Sequence, residues 1–207
     1  MNVICSSAQV SDHNLKPVKG KIILLNGTSS AGKSTLCKAL KTALSEPFWY
    51  MASDQFIEVG MAPTREDEGG AFDWEALRPN FFDGFHRVLP VFAGAGNNLI
   101  VEHIVEAESW LDDLLRLLHG FDVFFVGVHC PLVELEKRER ERGNRQVGEA
   151  RYHLKTHDYC QYDFEADSRK PAADNAEQII RAWRRRMSPS AFEQMYQSKF
   201  GFTHPSI

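Results

Sequence analysis

The sequence predicts an α/β fold: a parallel sheet of five strands flanked by helices. Three observations lead there. Short, continuously apolar runs recur along the chain, in "KIILLN" (Lys21–Asn26), "NLIVEHIV" (98–105) and "DVFFVGVHC" (122–130). Strands buried on both faces of a parallel sheet read this way, without polar alternation. Segments of helical spacing follow, such as "STLCKALKTAL" and "SWLDDLLRLLHG", and strands alternating with such helices imply crossover units. A glycine-bracketed turn joins the first strand to the first helix.

The elements then fall in order. Leu36, Leu40 and Leu44 share one face of the first helix. "FWYMA" (48–52) is the second strand, with Asp54 just beyond its end. Residues 61–74 are polar and glycine-containing, hence a loop. Helical patterning returns over 81–92, with Pro79 and Pro90 expected at its edges because proline interrupts a helix interior. The third strand (98–105) leads to an amphipathic helix (109–120) that Gly120 stops. The fourth strand (122–130) precedes a charged helix (131–142), and a short fifth strand (162–167) precedes a helix at 172–187. A polar leader (1–20) and a helical tail (187–207) flank what reads as one domain spanning all 207 residues.

Composition narrows the class. The chain is 43% hydrophobic and 25% charged, as ordinary globular proteins are. A net charge of -4 speaks against nucleic acid or an anionic membrane surface as partner. No window approaches the ~20 apolar residues of a membrane span. The first residues lack the basic start and apolar run of a secretory signal. The four cysteines show no paired spacing, so reduced thiols in a cytoplasmic protein are expected, without zinc or disulfides.

Chemistry concentrates in the first turn. Gly27, Thr28, Ser29, Ser30, Ala31, Gly32, Lys33, Ser34 and Thr35 satisfy G-x-x-x-x-G-K-[ST] between a buried strand and a helix. Glycines let the backbone curl so that its N–H groups face phosphate oxygens, and the helix adds its positive end. Lys33 supplies charge to the β and γ phosphates, and the Ser34 hydroxyl is a ligand for Mg²⁺. The expected fold is therefore that of the P-loop NTPases.

Further residues are candidates by position. Asp54 lies at the carboxyl edge of the sheet, where an open α/β sheet binds its ligand; it could accept the proton of an attacking hydroxyl, help hold Mg²⁺, or cap the helix "QFIEVG". Glu102 closes an apolar strand at the Walker-B place, either orienting Mg²⁺ or an attacking water, or serving a structural partner. His103 reads as a core or rim histidine. Glu136, Glu139 and Glu141 read as a solvated helix face. Arg142 and Arg145 flank Gly143-Asn144, where the helix should break, and guanidinium groups on such a hinged segment would act as a mobile lid over the nucleotide. Most aromatics must be core, but Phe72 and Trp74 stand in the polar loop and are candidates to line an acceptor pocket.

With these residues assembled, the chain resembles the chloramphenicol phosphotransferase-like family. The resemblance runs through "IILLNGTSSAGKST", "PFWYMASDQFIE", "NNLIVEHIV", the R-E-x-x-R-G-N-R-x-x-G run of 138–148, and "HDYCQYDFEADSRKPAADNAEQI", together 21–183. It implies an ATP-dependent kinase of a small hydroxylated molecule, folded like nucleotide and shikimate kinases. It also implies that Asp54 is the general base and that Arg142 and Arg145 face the phosphates. The chain departs from the family's antibiotic-modifying member at Glu102-His103, where paired aspartates stand in that enzyme. Chloramphenicol is thus one candidate acceptor among others, and a nucleoside, nucleotide or metabolite kinase is the alternative. A GTPase lacks support, because no N-K-x-D motif occurs. A regulatory ATP-binding protein is the remaining rival. The expected site is catalytic Asp54, Lys33, Arg142 and Arg145, with Ser34 and Glu102 toward the metal.

Overall fold

The computed structural model describes residues 18–64, 69–71, 73–142 and 148–201. The expectations for the leader, Phe72, Arg145 and the last residues of the tail lie outside these.

Five strands form one sheet: β1 (Lys21–Asn26), β2 (Trp49–Ala52), β3 (Leu99–His103), β4 (Asp122–His129) and β5 (Phe164–Asp167). Their order is β2-β3-β1-β4-β5, and every pairing is parallel. The central strand β1 is flanked on both sides, so its alternate residues feed two cores. Ile23 and Leu25 pack with Leu36, Cys37 and Leu40 of α1 (Lys33–Ala43) and with Ile179, Ile180 and Trp183 of α7 (Ala172–Arg184). Ile22 and Leu24 pack on the opposite face with Leu89 of α3 (Trp74–Gly94), Leu111, Leu114 and Leu115 of α4 (Glu108–Leu117), and Phe192 and Met195 of α8 (Ala191–Phe200). Burial on both faces explains why β1 and β3 carry no polar alternation.

The remaining helices are α2 (Ser53–Glu58), α5 (Leu132–Arg142) and α6 (Glu149–His153), the last continued by a 3₁₀ turn at Leu154–His157. Among the described residues no helix is long and apolar enough to cross a membrane.

Two expectations need correction. The helix expected over 81–92 instead runs from Trp74 to Gly94 with both Pro79 and Pro90 inside it. Interior proline costs about 3 kcal/mol, but Phe85, His86, Leu89 and Ala93 are buried along one face, and that burial outweighs the loss. Asp73 caps the helix, accepting from the Glu75 N–H at 3.0 Å, so its start was written in the sequence as an N-cap. The second correction concerns Glu139. It is not on a solvated face: it is 1% exposed, and its carboxylate accepts from the backbone N–H groups of Ala150 (2.6 Å) and Gly148 (3.1 Å) at the start of α6. Glu136, by contrast, forms a surface pair with Arg151 at 2.7 Å.

Candidate active site

The carboxyl ends of the strands meet at the turn between β1 and α1. Its backbone needs left-handed conformations at Ser30 (φ 59) and Gly32 (φ 88). Gly27 admits no side chain, since a Cβ there would lie 2.5 Å from the Val128 carbonyl oxygen. Lys33 opens α1 with its ammonium group folded back, donating to the carbonyls of Gly27 (2.9 Å) and Thr28 (2.8 Å). The side-chain hydroxyls of Ser29 and Ser30 are buried and have no hydrogen-bond partner among the described residues. A buried polar atom without a partner is destabilising. An anion in the turn would satisfy both hydroxyls and draw the Lys33 ammonium off the carbonyls.

Parallel pairing brings Glu102 to this turn, because β3 lies beside β1 with Leu25 opposite Glu102. The Ser34 hydroxyl donates to one Glu102 oxygen at 2.9 Å, and the Tyr50 hydroxyl donates to the other. Burial first, and then the hydrogen bond to Glu102, raises the Tyr50 pKa, so it stays a donor. The two residues expected at a metal thus sit in direct contact.

Asp54 is exposed in the first turn of α2, two residues past β2. It does not occupy the capping position, which is Ala52; there the backbone N–H is taken by Gln55 Oε1 at 3.2 Å. Asp54 lines a cleft of about 290 Å³ whose near wall is the turn, from Ser29 to Ser34, and Glu102. The far wall is built by Trp74, Arg78 and Phe82 of α3, by Glu106 beyond β3, and by Glu149 and His153 of α6. Arg78 donates to Glu106 at 2.5 Å, and His153 Nε2 meets the same oxygen at 3.2 Å. Burial pushes the Glu106 pKa up, but hydrogen bonds from His153 and Arg78 and the Arg78 charge more than offset this and hold it low. The Arg78 guanidinium also stacks over Phe82 (4.8 Å) and Trp110 (5.4 Å).

His103 is 3% exposed, with Nε2 placed 2.8 Å from His86 Nε2 and its ring parallel to Trp110. Burial lowers the His86 pKa to about 4 and pushes His103 well below its ordinary value. One neutral ring therefore donates to the other.

On the other side of the turn lies a second cleft of about 420 Å³, lined by Ser30, Gly32, Thr35, Arg138, Ser168 and Asn175 among others. Arg138 is held there by Glu134 (2.9 Å) and by the Ser168 hydroxyl (3.2 Å). Arg142 is the last residue of α5, and Arg145 follows it outside the described residues.

The structure therefore brings Lys33, Ser34, Asp54, Glu102 and Trp74 to one cavity. Sequence reading had passed over Tyr50, Arg78, Glu106, Arg138 and His153. Glu106 carried a usable signal, as it lies just beyond a strand at the carboxyl edge; Arg78 and His153, inside helices, carried none.

A sequence profile described as "Chloramphenicol phosphotransferase-like protein" matches residues 20–184. Relatives in two strains of Mycobacterium tuberculosis, each provisionally named an O-phosphotransferase, are 29% identical over 198 residues, covering 86% of this chain and 88% of theirs. Among solved structures, an APS kinase of M. tuberculosis in complex with AMPPNP and APS superposes with a TM-score of 0.62 at 18% identity, covering 81% of this chain and 99% of that one. The tunicamycin resistance protein of Deinococcus radiodurans gives 0.57 at 20% identity, covering 79% and 95%. Shikimate kinase of Aquifex aeolicus gives 0.53 at 18% identity, covering 79% and 96%. The fold is that of the P-loop kinases.

Proposed function

This chain belongs to the chloramphenicol phosphotransferase-like family, a phosphoryl-transferring family, and from that premise we propose that it moves the γ-phosphoryl group of ATP to a hydroxyl of a small molecule. The observation that carries this reading is one shared cavity, lined on one side by the turn from Ser29 to Ser34 and on the other by Trp74, Arg78, Phe82, Glu106, Glu149 and His153. The second cleft, beyond Gly32, would take the nucleoside, with Arg138 at its edge.

In this reading the acceptor oxygen attacks the γ-phosphorus, the bond to the β,γ-bridging oxygen breaks, and ADP leaves. Asp54 takes the proton of the attacking hydroxyl. Lys33, Arg142 and Arg145 stabilise charge spread over the transferred group. The buried hydroxyls of Ser29 and Ser30, without a partner among the described residues, support phosphate in the turn. Ser34 and Glu102 would hold Mg²⁺, which supplies neutralisation of phosphate charge. Among the described residues no cluster of three or more His, Cys, Asp or Glu could cage a metal; this suits Mg²⁺, which keeps waters and phosphate oxygens as ligands.

The test is ATP-dependent phosphorylation, read by mass spectrometry, over hydroxylated antibiotics including chloramphenicol, nucleosides and small metabolites. Asp54→Asn should leave ATP binding nearly intact while transfer falls by roughly 10²–10⁴. Retained turnover would remove Asp54 from the mechanism. ATP hydrolysis that needs a protein partner and phosphorylates nothing would replace the enzyme reading with a regulatory one.

A further inference from the structure

Two hydroxyls hold the Glu102 carboxylate, and only one of them belongs to the phosphate turn. Ser34, the second residue of α1, donates to Oε1 at 2.9 Å. Tyr50, on the edge strand β2, donates to Oε2. The sheet register brings the phenol there. Tyr50 lies opposite Ile100 and Ala52 opposite Glu102. Side chains alternate between the faces of a strand, so Tyr50, Ile100 and Glu102 share one face. Tyr50 and Ile100 accordingly pack in the core beside α1, whereas Met51 packs in the opposite one. Glu102 is then the diagonal neighbour of Tyr50, within reach of an aromatic side chain.

The chemistry of the three groups fixes who gives and who accepts. An ionised carboxylate only accepts, through about four lone-pair sites on its two oxygens. Ser34 and Tyr50 fill two of these sites, and the others stay open to water. Because the Ser34 proton points at Glu102, the lone pairs of the Ser34 oxygen are left for a cation. Without the phenol, Oε2 loses its donor and the carboxylate is free to turn, taking the acceptor of Ser34 with it. Ser34 and Glu102 line the cleft, but Tyr50 lines neither it nor the second cleft. Its hydroxyl therefore acts through Glu102 and not on a ligand.

We propose that Tyr50 is a positioning residue for the cation site, its hydroxyl fixing the Glu102 carboxylate so that Ser34 presents its oxygen to Mg²⁺. This role rests on the Mg²⁺ reading of Ser34 and Glu102 and is independent of which molecule accepts the phosphoryl group.

Nucleotide binding tests it without turnover. AMPPNP, a non-hydrolysable ATP analogue, is titrated into the full chain by calorimetry, once in saturating Mg²⁺ and once in EDTA. The ratio of the two dissociation constants reads how far the cation strengthens binding. Removing a group that orients a metal ligand costs roughly 10–100-fold in metal affinity, so Tyr50→Phe should lower this ratio by about tenfold or more. Its affinity in EDTA should change by less than about twofold, since the ring stays in the core. Glu102→Ala should lower the ratio at least as far, and Tyr50→Phe added to it should have no further effect. Equal weakening in Mg²⁺ and in EDTA would make Tyr50 a packing residue and overturn the proposal. So would additive losses in the double variant, or an unchanged ratio in Tyr50→Phe beside a lowered one in Glu102→Ala. A ratio that neither variant changes removes Glu102 from the cation site and Tyr50 with it. The expected cycle in a chain that phosphorylates no alcohol keeps Tyr50 in its role and removes only the phosphotransferase reading.

Discussion

Glu139→Ala probes how the far wall of the cleft is held. The Glu139 carboxylate is almost fully buried and accepts two backbone N–H groups, from Ala150 at 2.6 Å and Gly148 at 3.1 Å. These are among the first donors of α6, which no preceding turn can satisfy. Hydrogen bonds to a charged group contribute about 1.5–3 kcal/mol each, and the desolvation of one carboxylate offsets part of the total. Loss of a helix N-cap costs ~0.5–2 kcal/mol on its own. Together these place the destabilisation near 2 kcal/mol, and with a urea slope of ~2 kcal/mol/M the unfolding midpoint should fall by about 1 M. Glu139→Gln keeps the size and one acceptor and should lose roughly half as much. Because α6 carries Glu149 and His153 into the cleft, transfer measured well below the unfolding range should also slow, by about tenfold or more. An unfolding midpoint that moves by less than about 0.2 M, with an unchanged rate, would refute the clamp.

Three further outcomes are expected. Lys33→Ala should lower kcat by at least about 10²-fold and weaken nucleotide binding, since in the proposed mechanism the ammonium group serves the phosphates; steady-state kinetics with an unaffected rate would contradict the turn's assignment. Arg145→Ala should depress kcat by roughly 10³-fold while acceptor KM changes little, as for a charge that acts in the transition state; a raised KM with unchanged kcat would place it in acceptor binding. Stability should fall as pH drops from 6.5 toward 4, because the unfolded chain takes up a proton at His86 near 6.5 and the folded one only near 4. The unfolded state therefore binds more protons in that window, and the loss reaches about 3 kcal/mol at its lower end. His86→Gln keeps a hydrogen-bonding partner for His103 but does not titrate, so its stability should vary less with pH in urea unfolding. Parallel profiles for the two proteins would exclude His86 as the cause.

Sequence reading reached the parts of this protein that local physics writes into neighbouring residues. The apolar runs predicted the three inner strands β1, β3 and β4, since a strand buried on both faces has no polar alternation to hide its signal, while the edge strands β2 and β5 were read from shorter stretches between helices. The phosphate turn was legible because one stretch of nine residues must hold its glycines, lysine and serine in fixed order. A rule about the carboxyl edge of parallel sheets, which links strand ends far apart in the chain, pointed to Asp54 and Glu102, and both line the cleft. Elsewhere local rules gave way to packing. Pro79 and Pro90 lie inside a helix because the buried face of α3 outweighs them. Glu139 looked solvated among alternating charges, yet the start of α6 needed an acceptor that only the folded chain could bring near. The far wall of the cleft was legible only in part: Trp74 was a candidate from its sequence position and Glu106 lies just beyond a strand end, but Arg78 and His153, inside helices, had no neighbour in sequence to announce them. The phosphate-binding half of the site is thus encoded locally, because a backbone turn makes it. The acceptor half exists only in the tertiary structure, because it is made of side chains that long-range packing alone brings together.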